Sequence, residues 1–229
     1  MANLYFFLKQ KHTVENFVDN PNKPNSNKRY RAINFDKTRV KMGMFSTLIK
    51  RKLSDNQVAN VFINAIFECV DNGFPEIASL INEDPVFVQS PNISDKASGE
   101  FGIIVIVGNL SFLESTFDSD QAAAVEKLVF LKLSKIYEMN VEEFEKLIRQ
   151  YQSFISRVNH PSKNWIYGMS KAIFHKYKLN EYQDEYFKRM RAPNPLFLKR
   201  MDEVVSHYVW NWDAFSKNIV FNPNSDIFL

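Results

Sequence analysis

Glycine, proline and cysteine are scarce in this sequence, and each shortage excludes a class of protein. Six glycines and nine prolines in 229 residues argue against a turn-dense β-sandwich and against a disordered chain. The single cysteine cannot form an internal disulfide, so we expect a reducing compartment and a cytoplasmic location. With 45% hydrophobic and 24% charged residues, the composition is that of a globular protein, and its balance favours helices.

Long apolar runs are also missing. The N-terminal sequence MANLYFFLKQ has an apolar run of only five residues, without basic residues before it or a small-residue cleavage site after it. We therefore expect no signal peptide. The apolar run at residues 103–107 is far shorter than the roughly 20 residues of a membrane-spanning helix, so we expect no membrane contact.

Amphipathic helical patterns dominate the chain from residue 54 onward. Ser54 and Gln57 have the spacing of a capping box, and Asp118, Asn140 and Asn194 precede further helical patterns. The longest apolar stripe with helical spacing consists of Leu198, Met201, Val205, Tyr208, Trp212 and Phe215. We predict a predominantly α-helical domain of about seven helices over residues 43–217. A basic, Asn/Pro-rich arm (1–42) precedes it and an apolar-tipped tail (218–229) follows it.

Several helix boundaries follow from local signals. We predict a first short helix over residues 44–53. The sequence Asn72-Gly73-Phe74-Pro75 predicts the end of the next helix, with a short helix over residues 75–81 after it. His160-Pro161 predicts another helix end, Ser162 the start of the helix that follows, and Asn180 the cap of a further short helix.

Residues 84–117 are ambiguous between strand and helix. The sequence EFGIIVIVGNLSFL is rich in β-branched residues and contains Gly102 and Gly108, which is typical of a buried strand. Such a strand needs a partner, so the fold would include a small strand pair involving residues 101–107. A buried helix fits the same pattern nearly as well, and both interpretations stay open here.

Charge is distributed unevenly along the chain. Residues 1–52 contain 12 Lys or Arg and three acidic residues, a net charge of +9, whereas the remainder has 17 bases and 23 acids, a net of −6. Basic side chains interleaved with aromatic rings are typical of nucleic-acid contacts, because cations neutralise phosphates and rings stack on unpaired bases. The candidate polyanion-contact residues are Lys28, Arg29, Tyr30, Arg31, Phe35, Lys37, Arg39, Lys41, Lys50, Arg51 and Lys52.

No catalytic motif is present. The glycines form no phosphate-binding loop, and no serine lies in G-x-S-x-G. Cys69 falls on a predicted apolar stripe, which favours a small buried hydrophobe over a nucleophile. The histidines match no metal-ligand spacing, so we expect no catalytic residue, metal or cofactor. An enzyme with a site around His175 and His207 is retained only as an alternative.

The apolar ends of the chain suggest contacts with a partner or with another copy of the chain. Large apolar side chains lie beyond turn-rich linkers at both termini, and Trp210 lies off the predicted stripe. The candidate partner-contact residues are Leu4, Tyr5, Phe6, Phe7, Trp210, Ile227 and Phe228. The first hypothesis is therefore a non-catalytic binding or assembly protein that acts through protein–protein contacts and self-association. The alternative is a nucleoprotein- or coat-like protein that binds nucleic acid with its basic N-terminal third.

Overall fold

The computed structural model of the protein describes residues 51–212, residue 215 and residues 219–221. Within these residues the chain is predominantly α-helical, as predicted, with seven helices of six residues or more and one single-turn helix, α3. The elements in chain order are β1 (Arg51–Leu53), α1 (Asp55–Glu83), α2 (Gly99–Leu110), α3 (Leu113–Thr116), α4 (Ser119–Ile136), α5 (Val141–Asn159), α6 (Trp165–Lys176), a 3₁₀ turn (Leu179–Tyr182), α7 (Glu185–Met190), α8 (Pro195–Val205), a second 3₁₀ turn (Ser206–Tyr208) and β2 (Ile219–Phe221).

The two strands pair in parallel. Arg51 is opposite Ile219 and Leu53 is opposite Phe221. The predicted helix over residues 44–53 is therefore wrong for residues 51–53, which form β1, while residues 44–50 lie outside the described residues. The pair joins the start of the helical domain to a segment near the end of the chain.

The helix caps are where the sequence places them. Ser54 and Gln57 form both hydrogen bonds of a capping box, which confirms the predicted start of α1. Asp118, Asn140 and Asn194 accept hydrogen bonds from backbone N–H groups in the first turns of α4, α5 and α8. These bonds satisfy donors that have no partner inside the helix, and each contributes about 1 kcal/mol.

Three predicted helix boundaries differ from the structure. His160 ends α5 as expected, but α6 is capped by Asn164 and not by Ser162. Asn180 lies inside a 3₁₀ turn, and Asp184 caps α7. α8 ends at Val205. The predicted apolar stripe from Leu198 to Phe215 therefore extends beyond the end of this helix.

α2 occupies the centre of the domain. All ten residues from Phe101 to Leu110 are buried, and α2 packs against α1, α5 and α6. The predicted strand pair involving residues 101–107 is therefore wrong, because this segment is helical. A helix that is apolar on all sides belongs inside a protein, and its backbone groups bond within the helix and need no neighbouring strand.

Asn109 supplies the polar contacts at the C-terminal end of α2. Its amide nitrogen donates to the carbonyl oxygens of Val105 and Tyr208, each at 2.8 Å, and its side-chain oxygen accepts the backbone N–H of Trp210 at 2.6 Å. The indole N–H of Trp212 donates to the backbone oxygen of Asn109 at 3.1 Å. Asn109 therefore holds residues 208–212 against the core after α8 has ended, which explains why Tyr208 and Trp212 are buried beyond the end of α8.

Gly73 lies inside α1 and does not end it. The helix continues through Pro75 to Glu83, so the predicted stop at residues 72–75 and the separate helix over residues 75–81 are both wrong. A Cβ at residue 73 would overlap the Tyr208 hydroxyl and lie 2.9 Å from the ring carbon Cζ. The glycine is needed for this close approach, not for a turn.

Substituting Gly73 by alanine should destabilise the protein although alanine is the better helix former. Alanine gains about 1 kcal/mol of helix propensity, but moving the buried ring of Tyr208 costs about 1–3 kcal/mol. We expect urea unfolding to give a lower free energy of unfolding for Gly73→Ala. The matched control is Gly99→Ala in α2, where a Cβ meets nothing within 4 Å. Equal or greater stability of Gly73→Ala relative to Gly99→Ala would contradict this assignment.

Candidate polyanion interface

A continuous stretch without acidic residues covers all of α5 after its first five residues, the loop that follows, all of α6 and the residues up to 180. Residues 146–180 contain five Lys, two Arg and two His and no Asp or Glu, a net charge of +7. Residues 53–145 contain 16 acidic and four basic residues, a net of −12. α5 packs against α6, so the acid-free segment forms one paired-helix unit on a domain that is otherwise acidic.

The exposed side of α5 within this unit carries side chains at intervals of three and four residues. These side chains line an open groove of about 510 Å³, formed by Lys146, Arg149, Gln150, Ser153, Phe154 and Arg157. At a rise of about 1.5 Å per residue, the groove extends about 16 Å along the helix. We call these six residues, together with Lys171 and His175, the α5–α6 face.

The ring of Phe154 connects the two helices on this face. His175 of α6 contacts it edge-on with 6.3 Å between ring centroids, and Lys176 Nζ lies 5.4 Å from its centroid. The Arg157 guanidinium lies over the same ring at 5.6 Å. Cations are attracted to the face of an aromatic ring. The half-buried ring of Phe154 is therefore surrounded by positively charged side chains.

Ion pairing reduces the charge at one end of the face. Arg149 donates to both carboxylate oxygens of Glu126, at 3.1 and 2.8 Å, and its Nη2 also lies 3.5 Å from Glu145. Within the described part of the chain, no carboxylate forms an ion pair with Lys146, Arg157 or Lys171. The end of the face near Arg157 is therefore the more available for an anion.

A second group of titratable side chains lies beside the face, at the N-terminal end of α2. The Tyr151 hydroxyl donates to Glu100 Oε2, and Lys176 Nζ lies 3.3 Å from the same oxygen and 3.7 Å from the centroid of the Tyr151 ring. The Tyr177 hydroxyl donates to the backbone oxygen of Ala97 and accepts the backbone N–H of Phe101. Glu100 thus joins α2 to α5 and α6 and fixes the position of Lys176 near Phe154.

The surroundings of these tyrosines disfavour their charged form. Burial raises the pKa of Tyr151 well above its usual range, and the hydrogen bond to Glu100 adds to this shift. Burial also raises the pKa of Tyr177, with a contribution from Glu100, and the pKa values of Tyr137 and Tyr208. A neutral hydroxyl that donates to a carboxylate holds the helices together and is a poor general base.

The residues considered for catalysis are not arranged as a metal site. Partial burial and the nearby Lys171 lower the pKa of His175 below its ordinary value, which favours the neutral imidazole. His207 lies in the 3₁₀ turn after α8. Burial and the neighbouring Glu68 raise the pKa of Cys69 to about 11, which disfavours a thiolate nucleophile. Among the described residues, no group of three or more His, Cys, Asp or Glu side chains is placed to hold a metal ion.

Four further apolar side chains are exposed on α7 and on the segments connected to it. Val88, Tyr186, Met190 and Leu196 have between 57% and 74% of their area exposed. Residues 86–88 lie along residues 182–183, since Phe87 and Gln183 form an antiparallel bridge and the Val88 N–H donates to the backbone oxygen of Tyr182. The side chain of Gln183 in turn bonds to Ala192 and Asn194, next to α8. We call these four apolar residues the α7 patch.

The structure describes few of the sites predicted from the sequence. Arg51 and Lys52 belong to β1. The other predicted polyanion contacts lie outside the described residues, and so do the predicted partner contacts at both termini: Lys28, Arg29, Tyr30, Arg31, Phe35, Lys37, Arg39, Lys41, Lys50, Leu4, Tyr5, Phe6, Phe7, Ile227 and Phe228.

Trp210 is placed against the core. It is partly buried, its ring lies 6.4 Å from that of Phe62, and it also contacts Trp212 and Phe215. Its indole N–H is buried and forms no hydrogen bond within the described residues. Trp210 lies off the helical stripe because residues 209–211 are not helical. Its role in partner contact stays a prediction.

None of the helices in the described part of the chain combines the length and the apolar character that crossing a membrane requires.

The α5–α6 face was not predicted from the sequence, although the sequence contains a charge pattern that indicates it. An acid-free run of 35 residues is visible by inspection, but it is hidden when charge is summed over the whole acidic remainder of the chain.

Four tyrosines with raised pKa values, Tyr151 and Tyr208 in the core and the partly buried Tyr137 and Tyr177, predict a loss of stability at alkaline pH. Their folded-state pKa values are raised above the unfolded value of about 10, so their contribution is fully present below about pH 10 and is lost as pH rises further. Each adds about 1.4 kcal/mol per pH unit to the fall in the free energy of unfolding. Urea titrations between about pH 9 and 12, a range set by the ordinary pKa of tyrosine, should show this fall. Tyrosinate absorbance provides a second signal.

Tyr151→Phe should reduce the slope of the free energy of unfolding against pH by the equivalent of about one proton. It should also lower the free energy of unfolding at neutral pH by about 1–2 kcal/mol, because Glu100 loses a hydrogen-bond donor. The control is Tyr186→Phe, since Tyr186 is 67% exposed. Identical slopes for the unaltered protein and Tyr151→Phe would contradict the role given to the Tyr151–Glu100 contact.

Comparisons of the chain with protein-family models, with curated proteins and with solved structures found no match. Function must therefore be inferred from the chemistry of the described surfaces. Two of them have a composition that ordinary solvated surfaces do not require: the α5–α6 face, which is cationic and aromatic, and the α7 patch, which is apolar.

Proposed function

We propose that this protein is a non-catalytic binding protein that contacts nucleic acid through its α5–α6 face. The single observation that carries the proposal is the acid-free segment 146–180 with its net charge of +7, folded as two packed helices around the half-buried ring of Phe154. A solvated helix surface usually carries both signs of charge. A segment whose charges are all positive, with an aromatic ring among them, is typical of nucleic-acid contacts. The two carboxylates that reach this face, Glu126 and Glu145, pair with Arg149 at one end of it.

The dimensions of the face fit a phosphate backbone. Its length of about 16 Å corresponds to about five phosphates at the rise of 3.4 Å per charge of one strand. Lys146 and Arg157 lie at its two ends and have no ion-pair partner in the described residues. Cations at both ends would let a strand lie along α5.

The charge of the remaining surface supports this orientation. Residues 53–140, which contain α1 to α4, have 13 acidic and four basic residues, a net charge of −9. They repel a polyanion and direct it towards the cationic helices. The basic N-terminal residues predicted from the sequence, Lys28 to Lys52, would provide a second contact through the same electrostatic mechanism.

Reversing charge on the face should weaken binding and reduce its salt dependence. The test variant is Arg157→Glu with Lys171→Glu, and binding to labelled DNA or RNA is followed by fluorescence anisotropy over a series of salt concentrations. Each lost phosphate contact lowers the slope of log K against log salt by about 0.7 for single strands and 0.9 for duplexes. We expect the affinity to fall at least tenfold, which corresponds to about 1.4 kcal/mol.

The matched control is Lys127→Glu with Lys135→Glu, two exposed positions on α4 that give the same change in net charge. This control should bind within about threefold of the unaltered protein if local charge matters more than net charge. A third variant, with Arg29, Arg31, Arg39 and Lys41 all changed to Glu, measures the separate contribution of the N-terminal arm. Equal losses in the α5–α6 variant and the α4 control would contradict the proposal, and so would an unaltered protein without salt-sensitive binding.

The second candidate function is self-association through the α7 patch, in line with the protein–protein hypothesis from the sequence. The patch has an apolar surface, and both signs of charge lie beside it, because Arg189 forms an exposed ion pair with Glu185 at 3.7 Å. A twofold contact between identical surfaces requires this kind of self-complementarity. The favoured partner of the patch is therefore a second copy of the chain.

Self-association should be visible as a concentration-dependent mass. Sedimentation or light scattering of the unaltered protein should show a dimer, and Tyr186→Ser with Leu196→Ser should return it to a monomer. The control is Leu131→Ser with Ile136→Ser, which removes two exposed apolar side chains of α4. Deletion of residues 1–27 tests whether the apolar N-terminal tip contributes to the same assembly. A protein that stays monomeric at every concentration would rule out this candidate.

A reducing, cytoplasmic location remains part of the proposal. It rests on the single cysteine, Cys69, which is half-buried and packs against the core. An interior cysteine of this kind acts as a small hydrophobe, and no second cysteine is present to pair with it.

A further inference from the structure

We propose that the nucleic acid recognised by the α5–α6 face is single-stranded, and that an unpaired base stacks on the ring of Phe154. This inference rests on the proposed function and adds to it the class of ligand. It follows from the order of chemical groups along the groove, which places cations at both ends and an aromatic ring with uncharged polar groups between them.

The groove has the layout of a site for a nucleotide within a strand. Lys146 and Arg149 mark one end, and Arg157 marks the other end, three residues beyond Phe154. Gln150 and Ser153 are exposed beside the ring and carry an amide and a hydroxyl, which can exchange hydrogen bonds with a base edge. Because Arg149 is already paired with Glu126, phosphates on either side of a stacked base would meet Lys146 at one end and Arg157 at the other. The base itself would meet an apolar ring with polar neighbours.

The ring of Phe154 is held in position before any ligand arrives. On the α6 side, His175 contacts it, and Lys176 lies near it while bound to Glu100 at 3.3 Å. The Arg157 guanidinium lies over the ring at 5.6 Å, at the end of a long and flexible side chain. Movement of that guanidinium to a phosphate would uncover the ring for a base, so phosphate binding and stacking would support each other.

A duplex could use only part of this site. In a duplex the faces of the bases are already stacked on their neighbours, so the duplex can offer phosphates to the cations but no free base face to Phe154. Binding of a duplex should therefore depend on Arg157 and Lys171 but not on the aromatic ring. A single strand should depend on both.

The test compares Phe154→Leu with the unaltered full-length protein. Leucine keeps an apolar side chain packed against the core but removes the stacking surface. The probes are a labelled single-stranded DNA of mixed sequence and the duplex of the same length, both measured by fluorescence anisotropy. We expect the unaltered protein to prefer the single strand, and Phe154→Leu to lower single-strand affinity roughly 5- to 100-fold while leaving duplex affinity unchanged. The control is Phe187→Leu, which changes a half-buried phenylalanine of α7.

A second measurement uses the unaltered protein and stays decisive if Phe154→Leu is poorly folded. A strand that contains a fluorescent adenine analogue should change its emission on binding, because the analogue leaves the stack with its neighbouring bases and stacks on the aromatic ring. Equal affinity of the unaltered protein for single strand and duplex, or binding without a change in emission, would overturn the inference.

The two proposals fail in different ways. If Arg157→Glu with Lys171→Glu weakens binding to both probes but Phe154→Leu weakens neither, the proposed function stands and the single-strand inference is wrong. If the unaltered protein binds neither probe at low salt, the proposed function is wrong and the inference falls with it.

Discussion

The burial of α2 is the constraint on which the rest of the domain depends. Ten consecutive residues of this helix are buried, and most of them have large apolar side chains whose removal from water stabilises the fold by about 1.5–3 kcal/mol each. A helix that is apolar on every side needs neighbours on every side. α1, α5 and α6 meet that need, and each of them therefore has one inner apolar side and one outer side that is free to carry charge.

Polar contacts at the two ends of α2 fix the elements around it. At the N-terminal end, Glu100 holds Tyr151 of α5 and Lys176 of α6. At the C-terminal end, Asn109 holds residues 208–212, beyond the end of α8. The first of these contacts also positions the candidate interface, because Lys176 lies between the Tyr151 ring and Phe154. The core and the charged face thus share one set of side chains. A substitution of Glu100 would therefore alter both the packing of α2 and the position of Lys176 near Phe154.

The sequence predicted the parts of the fold that depend on local chemistry. Ser54, Asp118, Asn140 and Asn194 act within a few residues of themselves, and each caps the helix expected from its position. The conformation of residues 101–107 could not be decided, because burial on all sides removes the periodicity that distinguishes a helix from a strand. Gly73 was misread for a related reason: the ring that requires it belongs to Tyr208, 135 residues further along the chain.

The candidate interface was predictable in charge but not in geometry. Residues 146–180 contain no acidic residue, which is a property of the sequence alone. The placement of Phe154 between Arg157, His175 and Lys176 depends on how α5 packs against α6. The side chains predicted near the N-terminus belong to the same electrostatic class, so the sequence and the structure lead to the same proposed class of partner. The sequence did not indicate which surface of the helical domain would contact it.

Cross-linking by ultraviolet light tests most directly whether the α5–α6 face binds nucleic acid. The full-length protein is irradiated with a single-stranded oligonucleotide at low and at high salt, and the cross-linked peptides are identified by mass spectrometry. If the face binds as proposed, peptides from residues 146–178 carry cross-links, centred on Phe154, and these disappear at high salt. Cross-links confined to residues 53–145, or spread evenly over the surface at both salt concentrations, would contradict it.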